Sequence, residues 1–576
     1  MKIKRRTVPK ISAELADFSP ILQRIYAARG VTQKTELDKQ LQDLLPFSDL
    51  LGIEAASTRL VKALCQQERI LIIGDFDADG ATSSALAVSA LRALGAKEVS
   101  FLVPNRFQFG YGLTPGIIGL AEKRRPNLII TVDNGIASFD GVLAANQAGI
   151  DVLVTDHHLA GDSLPEACAI VNPNQPGDQF LSKSIAGVGV IFYVMLALRK
   201  HLRDIDWFET QNITEPNMAQ FLDLVALGTV ADVVRLDQNN RILVEQGLKR
   251  IRAGACRPGI QALIEIAKRE AKYLREGDLG FAVAPRLNAA GRLDDMSLGI
   301  DCLLAETDAA ARTFARELDE LNLERRNIEG EMQAQALKAL EKLTSLGTAK
   351  DLPAVLCLLD KTWHQGVIGI LAGRLKERYH RPVIAFAKTA ENEIKGSARS
   401  IQQINIRDVL AAIDVKHPGL ITKFGGHAMA AGLSLPPNNF ELFRAYLTDA
   451  IETELKDVLL EGVVLSDGSL SPRDFSLNFT KALQQAGPWG QQFEAPLFDD
   501  VFEILDQRLV GKNHLKLMLR HEAGGEALDA IAFNIDLDTW PNQRARRLHA
   551  AYQLDMNVYR GRERLQLVIA SMSVLH

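Results

Sequence analysis

The residues that could do chemistry gather in three short segments. GDFDADG, residues 74–80, places Asp75, Asp77 and Asp79 within five positions. LIITVDNG, residues 128–135, ends in Asp133 and Asn134, with Gly135 allowing a tight exit. DVLVTDHH, residues 151–158, ends in Asp156, His157 and His158. Three carboxylates so close repel one another unless they are solvated or bound to cations. An acidic surface turn is the plain alternative. A calcium loop is the sharper one, because D-x-D-x-D-G opens an EF-hand. That loop requires Glu at its twelfth position, and counting from Asp75 reaches Leu86. An EF-hand also follows a helix, whereas GDFDADG follows the apolar run ILIIG. Carboxylates joined by one or two imidazoles suit two divalent cations, Mn²⁺ better than Mg²⁺ alone. Such a pair, about 3.5–4 Å apart, would activate a water and stabilise both oxygens of a phosphoryl displacement. The chemistry indicated is metal-assisted phosphoester hydrolysis.

Each segment begins with a short, nearly continuous Val/Ile/Leu run, and helical stretches separate them (81–96 and 136–149). That alternation predicts a parallel sheet covered on both faces. Open α/β sheets bind ligands at the carboxyl ends of their strands, and a parallel sheet brings those ends to one edge. Three successive strands ending in acids or histidines can therefore converge, which unrelated surface turns would not do. Further along, residues 302–346 contain no proline and one glycine, with apolar residues at helical spacing from Phe314 to Leu340. This predicts a long amphipathic helix or helix pair connecting two lobes. A second α/β region follows over 351–455, with strands expected at 354–359 and 382–387. Beyond 456, five alternating strands (503–510, 514–520, 527–534, 551–559 and 564–570) suit a Greek-key barrel of the OB type.

Composition sets the frame. At 576 residues, 47% hydrophobic and 24% charged, the chain has globular composition and is too long for one core. Its most apolar stretch, Ala186–Leu198, is too short for a membrane span, which needs about 20 residues. No apolar run follows the basic N-terminus, so a secretory leader is not expected. Five scattered cysteines form no CxxC pair, which favours a reducing, cytoplasmic setting. A net charge of −5 argues against general affinity for polyanions, so any nucleic-acid contact must come from local patches. The barrel region adds little, with ten Lys and Arg against nine Asp and Glu beyond Val501.

The three acidic segments resemble the DHH phosphoesterase superfamily. Further segments narrow the likeness: PNRFQFGYGL (104–113), AGVGVIFY (186–193), LVALGTVADVV (224–234), PRLNAAGRLDD (285–295), WHQGVIGILAGRL (363–375), GSARS (396–400) and FGGHAMAAG (424–432). Together they are similar to the bacterial single-strand-specific exonucleases of recombination and repair, across nearly the whole length. The resemblance implies an α/β protein: an N-terminal segment (1–45), a parallel-sheet DHH catalytic domain (46–300), a long helical connector (301–350), a smaller α/β DHH-associated domain (351–455) and an OB-like β-barrel (456–576). It implies a 5′→3′ exonuclease releasing mononucleotides, with single-stranded DNA passing between two lobes.

The same resemblance implies two divalent ions, Mn²⁺ or Mg²⁺, held by Asp75, Asp77, Asp79, Asp133, His157 and Asp232, with Asp133 bridging. His158 would touch the scissile phosphate, with Arg286 and Arg292 near it. Arg106, Ser397, Arg399, Gly426 and His427 are expected to form a pocket for the 5′-terminal phosphate, since paired glycines permit close backbone approach to an anion. Trp363 could stack on the DNA or cap a core. Single-strand-binding protein and a helicase are expected partners and a monomer the expected state, with no membrane association. Alternatives are a phosphodiesterase of short oligonucleotides or cyclic dinucleotides, a non-cutting DHH-like scaffold, and an OB-type binding module with a structural metal. Length and the barrel extension argue against the first, the full acidic set against the second, and the open, water-accessible ligand set against the third.

Overall fold

The computed structural model describes residues 2–105, 109, 112–343, 352–389, 393–456, 460–537, 539–559 and 561–575. It divides into two compact units, Ile3–Asp319 with Val464–His576, and Met1–Lys2 with Glu320–Val463. In the first unit, strands β1 (Ile70–Gly74), β2 (Val99–Leu102), β3 (Leu128–Val132), β4 (Asp151–Thr155) and β5 (Ala169–Val171) form one sheet. Their order is β2-β1-β3-β4-β5, and every pairing is parallel. β1 and β3 are buried at every residue, which is why they read as unbroken apolar runs. The strand order reverses between β1 and β3, and it is beside such a switch point that an open α/β sheet leaves a crevice.

Helix α1 (Ala78–Ala93) starts three residues before the expected position because Asp77 caps it, accepting the amide hydrogens of Asp79 and Gly80. Its Ala- and Ser-rich sequence is buried on nearly all sides, which lets α2 (Gly187–Asp204) and α3 (Leu222–Ala231) pack closely on it. Further on, α4 (Ala284–Leu293) packs on the same helix and precedes α5 (Asp308–Leu343), a single helix of 36 residues. The boundary between the two units falls within α5.

The second unit carries a five-stranded sheet of β6 (Leu356–Asp360), β7 (Val383–Lys388), β8 (Ile394–Arg399), β9 (Lys423–His427) and β10 (Ala430–Leu435). Its order is β9-β10-β8-β7-β6, antiparallel except for the β6–β7 pair. α6 (Ile368–Tyr379) joins β6 to β7 as a crossover, which a parallel pair needs. α7 (Phe440–Leu455) adds Phe443, Leu447 and Ile451 to the core around Ile384 and Phe386, one side chain per turn. Back in the first unit, β11 (Phe498–Val510), β12 (His514–His521), β13 (Ala527–Ala532), β14 (Arg547–Tyr559) and β15 (Arg562–Leu575) close into a barrel. The ring runs β11-β12-β13-β15-β14 and back to β11, the five strands expected from the alternating pattern.

The N-terminal segment is tied to the chain just before this barrel. Arg29 and Asp467 form a two-pronged pair at 2.8 and 3.0 Å, each side chain only 1% exposed. Tyr26 lies 6.3 Å from Trp489, centroid to centroid, and donates its hydroxyl hydrogen to the Ala486 carbonyl. No helix among the described residues is long and apolar enough to cross a membrane.

Candidate metal centre

The carboxyl ends of β1, β3 and β4 deliver six of the candidate side chains to one place, and α3 supplies a seventh. Asp75 and Asp77 leave β1, Asp79 lies in the first turn of α1, Asp133 leaves β3, and His157 and His158 leave β4. Asp232 caps the C-terminus of α3. Three groups of candidate ligand atoms lie within 4.8 Å of one another: Asp75, Asp77 and Asp133; Asp79, His157 and Asp232; and Asp133, His157 and His158. The His157 Nε2 joins them, 3.0 Å from Asp133 Oδ1 and 3.4 Å from Asp232 Oδ2.

Backbone geometry aims these groups. Asp133 takes a left-handed conformation, φ +60°, which aspartate tolerates better than most residues. Next to it, the Asn134 amide donates to the Ile73 and Val132 carbonyls and so pins β1 and β3 together at the switch point. The first turn of α2 packs directly on Asp133: a Cβ at Gly187 would stand 2.6 Å from the Asp133 Cβ and 2.8 Å from its Oδ1. The Gly187 and Val188 amides donate to Asp79 Oδ2 and Oδ1 at 2.7 and 3.0 Å. Asp79 thus neutralises part of the positive helix terminus while facing the other acids.

Electrostatics mark the cluster as strained without cations. Burial, then repulsion from Asp77, pushes Asp79 up to about 7. Burial and the same neighbouring acids push Asp133 and Asp232 well above the usual carboxylate range. The donor set is carboxylate-rich with one central imidazole, and its excess negative charge is what divalent cations would offset. These residues therefore fit two hard-to-intermediate ions.

His158 is held differently. Its Nδ1 lies 2.7 Å from Asp156 Oδ1, which also accepts the amide hydrogens of His157 and His158, while Asp156 Oδ2 accepts from Ile136. Burial opposes a charged ring at His158, but the Asp156 hydrogen bond and the surrounding acids outweigh it and raise its pKa to about 9. Asp156 itself, despite burial, is held below its ordinary value by that bond. Its role as the orienting group for His158 was not assigned from the sequence, although its place in the Asp-His-His triplet carried the signal.

Asn288 is a second residue without a role at the sequence level. Its side-chain oxygen accepts the Ala78 amide hydrogen at 2.8 Å, anchoring α4 to the acidic loop. Three residues on, a Cβ at Gly291 would overlap the Phe76 carbonyl oxygen. Gly291→Ala is accordingly expected to push α4 off the loop and shift Asp75 and Asp77. We expect a drop in kcat/KM of about 100-fold, as a small misplacement of catalytic groups produces, with urea unfolding showing most of the fold retained. Arg286 pairs with Asp319 at 2.8 Å, donates to the Ala282 carbonyl and is largely buried. Arg292 stands in the last turn of the same helix.

In the second unit, Ser397 and Arg399 lie on β8 opposite Gly432 and Ala430 of β10, and Gly426 and His427 pair with Ala431 and Ala430 from β9. Arg399 donates to Ser397 Oγ and the Ala398 carbonyl, and burial lowers its pKa. Among the described residues no carboxylate forms an ion pair with it, which suits an anion contact. Arg106 lies outside the described residues. Of the two readings open for Trp363, stacking on DNA or capping a core, the structure favours the second: it is buried, and its indole N–H donates to Gln335 Oε1 at 2.8 Å. Its ring caps a core and is not presented for stacking on DNA.

The chain is similar to known proteins over nearly its whole length. Residues 69–229 match the DHH family, N-terminal domain, residues 352–453 the DHHA1 domain, and residues 466–571 the RecJ OB domain. The single-stranded-DNA-specific exonuclease RecJ of Salmonella typhimurium is 53% identical over 99% of this chain and 98% of its own length. That of Escherichia coli is 52% identical over the same shares. Among solved structures, RecJ of Thermus thermophilus in complex with Mn²⁺ superimposes with a TM-score of 0.80 at 27% identity, covering 100% of this chain and 80% of that one.

Proposed function

This chain belongs to the RecJ family of single-stranded-DNA-specific exonucleases, and from that premise we propose how its residues carry the reaction. It is a metal-dependent exonuclease that hydrolyses single-stranded DNA, working 5′→3′ and releasing mononucleotides. The observation that carries the reading is the convergence of Asp75, Asp77, Asp79, Asp133, His157 and Asp232 in interlocking groups of three. These residues would hold two divalent ions, Mn²⁺ or Mg²⁺, with Asp133 shared between them. Bound there, the ions supply Lewis acidity and lower the pKa of water.

The chain's own residues do the rest. Asp133 and His157 keep the ligand groups in register from two adjacent strand ends. Asp156 orients the His158 ring and favours its charged form, so Nε2–H can donate to an oxygen of the scissile phosphate. Arg292 would add positive charge beside that phosphate. Arg286, engaged with Asp319, would set the position of α4. Ser397, Arg399, Gly426 and His427 would receive the 5′-terminal phosphate, and Arg106 would contact the same strand. The divisions expected from the sequence fit this scheme: a DHH domain to about residue 300, a helical connector, a DHHA1 domain over 351–455 and a barrel to the C-terminus. Action in the cytoplasm as a monomer, alongside single-strand-binding protein and a helicase, belongs to the same reading.

The test is a time course on a single-stranded oligonucleotide labelled differently at each end, with Mn²⁺, Mg²⁺ or EDTA. Mononucleotide carrying the 5′ label should appear at once while the 3′-labelled strand shortens gradually. EDTA should stop the reaction, and a blunt duplex should survive. Early release of the 3′ label would reverse the polarity. Turnover of short oligonucleotides or cyclic dinucleotides alone would replace the substrate.

A further inference from the structure

Residues Leu279–Val283 form a single turn of π-helix directly before α4, the Ala284 amide donating to the Leu279 carbonyl. Such turns insert one extra residue into a helix and are frequent at functional sites. Here Leu279, Ala282 and Val283 are buried, while Phe281 is left 86% exposed. Covering that ring with an apolar face of a ligand would recover the burial it gives up here.

Three observations tie the turn that carries this ring to elements of the metal centre. Gly280 abuts α3, where an added Cβ would lie 3.2 Å from Val230 Cγ1, two residues before Asp232. The Arg286 guanidinium donates to the carbonyl of Ala282, the residue after Phe281. α4, which continues from the π-turn, rests on the acidic loop through Asn288 and Gly291. The residues that directly follow two side chains of the site are apolar and exposed as well. Val233, immediately after Asp232, is 62% exposed at φ +59°, a conformation a β-branched residue adopts only at a cost. Leu159, immediately after His158, is equally exposed.

We propose that Phe281 is a stacking platform for a nucleobase of the single strand, holding the nucleotide beside the scissile phosphate. This rests on the reading of the chain as a single-strand nuclease. Stacking on an aromatic face accepts every base and needs the base unpaired, which suits an enzyme that degrades single strands without regard to sequence. Duplex bases, already stacked on their neighbours, would not offer that face. Val233 and Leu159 would wall the same surface and keep water from the stacked base.

The test pairs an enzyme change with a substrate change. Phe281→Ala should lower kcat/KM on a single-stranded oligonucleotide by roughly 10- to 100-fold, the range that loss of one stacked base produces. Phe281→Trp should restore most of it, since only an aromatic face is required. On an oligonucleotide whose terminal nucleotides are abasic, the unsubstituted protein should lose a similar factor, and Phe281→Ala should lose little more. Full activity of Phe281→Ala on the intact strand would overturn the proposal. An equal further loss on the abasic strand would overturn it too, because the ring would then be acting without a base. If the unsubstituted protein cut neither strand, the nuclease reading would fall first and this one with it.

Discussion

Asp133→Asn is expected to lower kcat/KM on single-stranded DNA by about 1,000-fold or more while leaving a folded protein. Asp133 belongs to two of the three ligand groups, lies against His157, and reaches its position through a left-handed turn. Asn keeps that turn and nearly the same shape, so the change removes charge and little else. Because burial and four neighbouring acids push Asp133 toward protonation, the neutral side chain should raise thermal stability in metal-free buffer. Mn²⁺ should stabilise the unsubstituted protein against heat and do so much less for the variant. Single-strand binding in EDTA should persist. A variant retaining a tenth of the activity, or one equally stabilised by Mn²⁺, would refute the bridging role.

Arg29→Ala should destabilise the unit of Ile3–Asp319 and Val464–His576 by about 3–5 kcal/mol, the cost of stranding one member of a buried ion pair. Asp467 would be left buried, its Oδ2 accepting from the Leu497 amide and its other support being Arg6 at 3.8 Å. Arg29 also donates to the Glu494 carbonyl and lies 5.4 Å over the Trp489 ring, so its loss removes packing too. Replacing both partners should cost less than the sum of the single changes, since no unpaired charge remains. Urea unfolding followed by tryptophan fluorescence reads the effect directly. Additive single effects would mean that the two groups are independently solvated.

Much of the catalytic sheet was legible because β1, β3 and β4 are central strands buried on both faces. Their apolar runs are long enough to stand out, and each ends in the residues that matter. The edge strands β2 and β5, with four and three residues, carry too little pattern to be marked. In the second unit β8, β9 and β10 also escaped notice. β9 is exposed and glycine-rich, and β8 alternates with small residues, so neither shows a strong apolar period. The barrel strands alternate clearly because one face packs inward and the other meets solvent, and all five were expected near where they lie.

The sequence by itself determined the kinds of groups available, their attachment to strand ends and, through the resemblance, the family. Those are local properties of spacing and periodicity. Only the tertiary structure decided what those groups meet. Asp232 joins the centre because α3 packs on α1, a contact between residues some 150 positions apart that no local period encodes. The packing around Trp363 took its ring out of solvent, while the π-turn at 279–283 turned Phe281 into it, although both are aromatic residues in glycine-bearing segments. The N-terminal segment and the chain before the barrel, more than 400 residues apart, share one buried ion pair. Side-chain chemistry is written residue by residue, whereas burial and partnership arise only when distant segments exclude water from one another.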